Sequence, residues 1–298
     1  MSRFNLFVSV LLVCVSTALG HTNITETIKT LNAQIKKSPT SDLYYQRATE
    51  YRALREKGHT IKDLRAALKL SPNHRPSIIA LIGELEKSDE ALSLAHQLAK
   101  HSQESNQATE SSYLLAQIYH LRGNDHKSVS ILKKIQSTTN RYPTTVDILL
   151  AECHLKLKQP TAAATVYRQA WKRTNSIVMR NQWIDASLTA NQSKAVLPII
   201  QTELSSSRFR SSWLIRRARA HLSSDKKDLA RTDLQEALKE ITPRINKLRP
   251  DLTLIADRGL IHALMGNPQL AKKDHAILKK SSLPPSSYRL LTNALLQK

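Results

Sequence analysis

The residues able to do chemistry in this chain are few and scattered. Cys153 stands in Ala151-Glu152-Cys153-His154, and a thiol beside an imidazole is the usual start of nucleophilic catalysis. No orienting group can be assigned to it, and the segment has helical patterning, so the thiol is expected to be a small core hydrophobe. Eleven histidines raise the question of a metal. His96 and His101 are five apart and His120 and His126 six apart, neither of which puts two imidazoles on one helical face. With no H-E-x-x-H and no Cys/His ligand set, neither a metal nor any other cofactor is expected. The six glycines form no Walker loop, G-x-S-x-G or G-x-G-x-x-G. One constellation does recur. An arginine followed by a small residue precedes an aspartate by sixteen positions in Arg47/Asp63, Arg217/Asp233 and Arg258/Asp274. A catalytic carboxylate needs a second acid or base, and none recurs with these. They read as ion pairs that fix the register of two facing helices, no catalytic residue is nominated, and the chain is expected not to be an enzyme.

The elements that hold these residues repeat. Asp63-Leu64-Arg65-Ala66-Ala67-Leu68 is echoed by Asp233-Leu234-Gln235-Glu236-Ala237-Leu238, and two further copies keep the apolar frame without the Arg/Asp pair. One runs through Leu115-Ala116, Tyr119, Ser128, Leu132 and Ile135; the other runs through Leu150-Ala151, His154, Ala163, Tyr167 and Ala170. Each copy has apolar residues at i, i+3, i+4 and i+7 twice over, which predicts two amphipathic helices. Turn signals separate them at Gly58-His59, Gly123-Asn124-Asp125, Gln159-Pro160 and Gly266-Asn267-Pro268. Six glycines, 11 prolines and 5% aromatics are too few for a chain of β-hairpins.

This pattern resembles the tetratricopeptide repeat family. The matching positions are the small residue of the first helix (Ala48, Ala116, Ala151, Ala218, Gly259) and the Tyr or His three later (Tyr51, Tyr119, His154, His221, His262). The second helix supplies Ala163, Ala230 and Ala271, then Ala67, Ala170 and Ala237, and Pro72 closes the first unit. The resemblance implies an all-α fold, a right-handed superhelical α-solenoid of stacked antiparallel helix pairs. The array would cover residues 41–283 in about seven units, those at 76–104 and 178–208 being degenerate. Residues 21–40 and 284–298 would form capping helices, since an open solenoid end exposes core. In that family ligands usually lie in the groove lined by the first helices. By position the lining is Tyr45, Thr49, Arg52, Tyr113, Gln117, His120, Glu152, Lys156 and Arg219. Family members that clamp two carboxylates need Lys and Asn where Tyr45 and Thr49 stand, so that partner class is not expected.

Residues 1–20 read as a secretory signal peptide: Arg3, an apolar run from Phe4 to Val13, and small residues before a cleavage point between Gly20 and His21. The same run could instead remain as an uncleaved anchor. The expected location is periplasmic or secreted. Cleavage would remove Cys14 and leave Cys153 without an intramolecular disulfide partner. Asn23-Ile24-Thr25 and Asn191-Gln192-Ser193 are glycosylation sequons, meaningful only in a eukaryotic source. Lysine and arginine outnumber aspartate and glutamate 45 to 24, a net charge of +21 that attracts anions. Export argues against nucleic acid. An acidic protein or peptide partner, bound by a scaffold or adaptor through the groove and a basic surface, is the first expectation. Binding to an acidic polysaccharide or anionic membrane surface is the alternative, and an unrecognised enzyme the third reading.

Overall fold

The computed structural model describes residues 24–102, 107–139, 141–246, 248–281 and 286–296. The signal peptide with its cleavage point, Cys14 and Asn23 lie outside them. The described residues form α-helices, one 3-10 turn at Thr242–Arg244 and no strand. They fall into two compact units. The first holds α1 (Ile24–Lys37), α2 (Ser41–Ala53), α3 (Lys57–Leu70), α4 (Arg75–Leu85), α5 (Asp89–His101), α6 (Ala108–Leu121), α7 (Asp125–Thr138) and α8 (Thr144–Lys156). The second holds α9 (Pro160–Thr174), α10 (Ile177–Thr189), α11 (Ser193–Ser206), α12 (Ser211–Leu222), α13 (Lys227–Ile241), α14 (Leu252–Leu264), α15 (Pro268–Lys279) and α16 (Ser286–Leu296). None of these helices is long and apolar enough to cross a membrane.

Within each unit every helix packs on the next in the chain. On one side it also meets the next but one: α2 meets α4 and α6 meets α8, while α10, α12, α14 and α16 meet in succession. The even-numbered helices therefore line the inner side of each stack. Small residues permit that closeness. Ala48, Ala116, Ala151 and Ala218 of the even helices and Ala67, Ala163, Ala170, Ala230, Ala237 and Ala271 of the odd ones are buried. Gly259 is the extreme case, because a Cβ there would stand 2.7 Å from Leu291 Cδ2 and 3.0 Å from Asp274 Cβ.

Helix starts have local causes. The side chains of Thr40, Ser88, Asn124 and Asp251 accept the first free backbone N–H groups of their helices, and Pro160 and Pro268 occupy first helical positions where no N–H is needed. The turns inside the pairs share one backbone solution. Two residues before the odd helix the chain takes a positive φ, at Arg55, Gly123, Lys158, Asn191, Asp225 and Gly266. In five of these turns an N–H bonds back to the carbonyl of Tyr51, Tyr119, Ser187, His221 or His262, at 2.8–2.9 Å. The Gly58-His59 turn expected from sequence is a correction. Gly58 lies inside α3, with open space where a Cβ would go, and the reversal is at Arg55. The region around 178–208, weak as a sequence match, nevertheless makes the same turn at Asn191. The shortened region near Glu84–Ser88 does not: α4 stops at Leu85 and Glu86 carries the positive φ.

At the ends, α1 packs on α2 through Leu31 and Ile35, and α16 packs on α14 and α15 with Leu291 fully buried.

Candidate functional site

On α2 the residues Tyr45, Thr49 and Arg52 share one face at i, i+4 and i+7. Tyr45 is half-buried, edge-on to His74 with ring centroids 5.9 Å apart. Thr49 is exposed and donates its hydroxyl to the Tyr45 carbonyl (3.0 Å), while Arg52 reaches Glu84 of α4 at 3.1 Å. Tyr113, Gln117 and His120 have the same spacing on α6. The Gln117 amide donates to the Tyr113 hydroxyl at 3.2 Å. Burial pushes the Tyr113 phenol up and the charge of Glu152 on α8 adds to it, against hydrogen bonds from Thr145 and Gln117. Lys156, one turn beyond Glu152, is exposed. The first unit thus gathers Tyr113, Gln117 and Glu152 across two inner helices. It does not hold His120 with them. That ring is drawn off to Asp125 and Cys153.

In the second unit Arg219 of α12 reaches across to α10, donating to Asp185 Oδ1 (2.7 Å), the Asp185 carbonyl (3.1 Å) and Thr189 Oγ1 (3.2 Å). Arg216, one turn earlier, adds bonds of 3.2 and 2.8 Å to the same carboxylate and lies 4.9 Å from the Trp213 ring centroid. Burial alone would raise the Asp185 carboxyl; the charges of Arg216 and Arg219 overcome it and hold the group below its ordinary range. Asp257 of α14 goes the other way, pushed up to about 6 by burial first, against the pull of Arg216. Asp185, Arg216 and Asp257 are absent from the sequence-predicted site. Their signal was the repeat length: Asp185 precedes Arg216 and Arg219 by 31 and 34 residues, about one unit.

The three Arg/Asp couples are two-pronged hydrogen-bonded ion pairs between the helices of one pair. The bonds are 2.7 and 2.7 Å for Arg47–Asp63, and 2.9 and 2.6 Å both for Arg217–Asp233 and for Arg258–Asp274. Arg47 also donates to Asn32 of α1 at 2.5 Å, tying the first helix to the stack. Arg216, Arg217 and Arg219 are near neighbours in the sequence. Helical geometry splits them, sending Arg217 to α13 and the other two to α10.

Cys153 lies on α8, fully buried, and it is not alone. Its Sγ is 3.4 Å from His120 Nδ1 and donates to Ser128 Oγ at 3.3 Å; the same Nδ1 is 2.5 Å from Asp125 Oδ1. A base and an orienting carboxylate are therefore present, contrary to the sequence reading. They come from the α6–α7 turn, 33 and 28 positions from the cysteine, which no local motif reveals. The geometry is not that of a proton relay. A relay needs the carboxylate on one ring nitrogen and the nucleophile on the other, whereas both meet Nδ1 here. Burial also pushes the thiol up to about 12, with Asp125 and Glu152 adding and the bond to Ser128 opposing. Such a thiol is a poor nucleophile. Three other histidines have ordinary surroundings: His96 pairs with the Tyr119 hydroxyl (2.7 Å), His101 with the Gln97 carbonyl (2.8 Å), and His154 is packed in the core.

Paired helices with small residues at the contacts, one recurring turn and an internal Arg/Asp lock are the geometry of α2 and α3. Residues 41–74 match the tetratricopeptide repeat model. That repeat contains the Arg47–Asp63 pair, the Arg55 turn and the inner-face residues Tyr45, Thr49 and Arg52. No curated protein matches the chain in sequence. Among solved structures, the fold resembles a tetratricopeptide repeat protein from Parabacteroides merdae ATCC 43184, with TM-score 0.58 and 12% identity over 86% of this chain and 98% of that one. Two others are the APC/C hetero-tetramer Cut9-Hcn1 (TM-score 0.41, 14% identity, 91% of this chain and 52% of that one) and BtubC (BKLC) from P. vanneervenii (TM-score 0.34, 15% identity, 89% and 96%). At 12% identity the first of these likenesses speaks for the fold alone: an all-α stack of tetratricopeptide-like helix pairs.

Proposed function

We propose that the chain is a non-enzymatic scaffold or adaptor that acts outside the cytoplasm and binds an acidic protein or peptide through the inner, even-helix faces. The observation that carries this reading is how the polar groups divide between the two sides. Inner faces hold half-buried aromatic, amide and guanidinium groups already fixed by hydrogen bonds, as in Tyr113–Gln117 and Asp185–Arg216–Arg219. A partner docking there would have little side-chain freedom left to freeze, which favours specific association. Exposed basic residues concentrate on odd helices: Lys133 and Lys134 on α7, Lys172 and Arg173 on α9, Lys272 and Lys273 on α15. With a net charge of +21 they would draw acidic partners in by long-range attraction. The buried thiol with both neighbours on one ring nitrogen supports the non-enzymatic part. The leader read at residues 1–20 supports the location.

The outer basic residues also favour a second reading, adhesion to an acidic polysaccharide or an anionic membrane. Salt separates the two. Partner capture from the native extracytoplasmic fraction at low and high salt should leave a substantial bound fraction at high salt if the inner faces recognise a specific segment. Complete loss at high salt would favour charge-driven adhesion, because exposed charges further apart than a Debye length of about 10 Å at 0.1 M are screened.

A further inference from the structure

We propose that His120, Asp125 and Cys153 form a site for one divalent transition-metal ion of the zinc class. Three helices contribute. His120 stands in the last turn of α6, Asp125 in the first turn of α7 and Cys153 in the last turn of α8, and their donor atoms lie within 4.8 Å of one another. Imidazole nitrogen, carboxylate oxygen and thiolate sulfur are the three donor types zinc takes.

The convergence is the main observation. Sulfur and carboxylate oxygen approach the same ring nitrogen, at 3.4 and 2.5 Å, so all three donors point at one small volume. A tetrahedral ion with a Zn–S bond of ~2.3 Å and Zn–N and Zn–O bonds of ~2.0–2.1 Å sets sulfur and nitrogen about 3.5 Å apart and nitrogen and oxygen about 3.3 Å apart. The first separation is met as it stands. The second needs the Asp125 carboxylate to swing back by about 0.8 Å, and the sulfur-to-oxygen separation, within 4.8 Å, must close to about 3.5 Å; both are side-chain rotations. Ser128 Oγ, 3.3 Å from the sulfur, is placed to take the fourth position or to hold a water there.

Charge supports the same occupant. Binding removes the thiol proton to solvent and leaves the imidazole neutral with its one proton on Nε2. A divalent cation with a thiolate, a carboxylate and a neutral imidazole is then uncharged overall, the arrangement a site with little water tolerates best. Nearby Glu152 adds negative potential. Access is from the His120 side, whose side chain is 13% exposed against 7% for Asp125. The six-apart pair His120 and His126 is not the ligand set, since His126 is exposed on the far side of the α6–α7 turn.

The test uses the full chain carrying Cys14→Ser, so that Cys153 is the only thiol, titrated with cobalt(II) as the spectroscopic probe and then with zinc. The expected result is one equivalent of cobalt, a thiolate-to-cobalt charge-transfer absorption in the near ultraviolet, and its displacement by zinc. Cys153→Ser should abolish the absorption. His120→Gln and Asp125→Asn should each weaken binding by more than the roughly 10–100-fold that follows loss of an outer-shell partner. Circular dichroism checks that each variant folds. Should one not fold, the parent decides: cobalt without a charge-transfer band overturns the proposal, as does a band that survives with unchanged affinity in folded His120→Gln.

Discussion

Removing Arg217 should destabilise the protein more than removing Asp233, although both changes delete the same two hydrogen bonds. The asymmetry follows from burial. The Asp233 side chain is 4% exposed and that of Arg217 is 28% exposed. In Arg217→Leu the carboxylate is left behind almost fully buried, faced by His221 Nε2 at 3.7 Å. Breaking a buried pair this way costs about 3–5 kcal/mol, and the partial exposure of the lost arginine places this case near the lower figure, ~3 kcal/mol. In Asp233→Ala the guanidinium can swing outward, so the loss is nearer that of charge-assisted hydrogen bonds, ~1.5–2 kcal/mol. Replacing both with leucine removes the stranded charge and should recover part of the loss, leaving about 1 kcal/mol. Urea unfolding followed by circular dichroism measures all four proteins. Equal losses in the two single variants, or a larger loss in Asp233→Ala, would refute the reasoning. So would an unchanged melting temperature in Asp233→Ala.

Three other outcomes follow from the same structure. Asp257, pushed up to about 6 by burial, has a folded pKa above its unfolded one; the folded state binds the extra proton, and stability should fall as pH rises from about 4 to 6. Asp257→Asn should therefore be more stable than the parent by roughly 1–2 kcal/mol at pH 8 and nearly equal to it at pH 4, measured by urea unfolding at both pH values. Gly259→Ala should lose about 1–2 kcal/mol, because overpacking against Leu291 outweighs the better helix propensity of alanine; Leu291→Ala in the same chain should lose less than the sum of the two single changes, read from melting temperatures. With Cys14→Ser in place and no metal added, Cys153 should resist a thiol reagent at pH 8 in the folded protein and react fully in denaturant; rapid labelling of the folded chain would contradict its burial.

The fold was legible because its cause is periodic. Ala48, Ala116, Ala151, Ala218 and Gly259 recur at spacings of one or two helix pairs, and an arginine sixteen residues before an aspartate is a contact between two helices separated by one short turn. The turns were partly legible. Gly123 and Gly266 mark the positive φ, but Arg55, Lys158 and Asp225 adopt it without glycine, and the glycine at 58 misplaces the first turn by three residues. Contacts between successive units were the hard part. Asp185 with Arg216 and Arg219, and Cys153 with His120 and Asp125, join residues about one repeat apart whose sequences carry no shared motif. The repeat supplies the distance, while the side chains that exploit it differ from unit to unit.

The claim on which the functional account turns is that recognition belongs to the inner faces and not to the charge excess. Two variants of equal charge change test it: Arg52→Glu with Lys156→Glu on α2 and α8, and Lys133→Glu with Lys134→Glu on the outside of α7. Partner capture, measured for both beside the parent at one salt concentration, should collapse for the inner-face variant and persist for the outer one. Equal loss in both, or loss in the outer variant alone, would contradict the account.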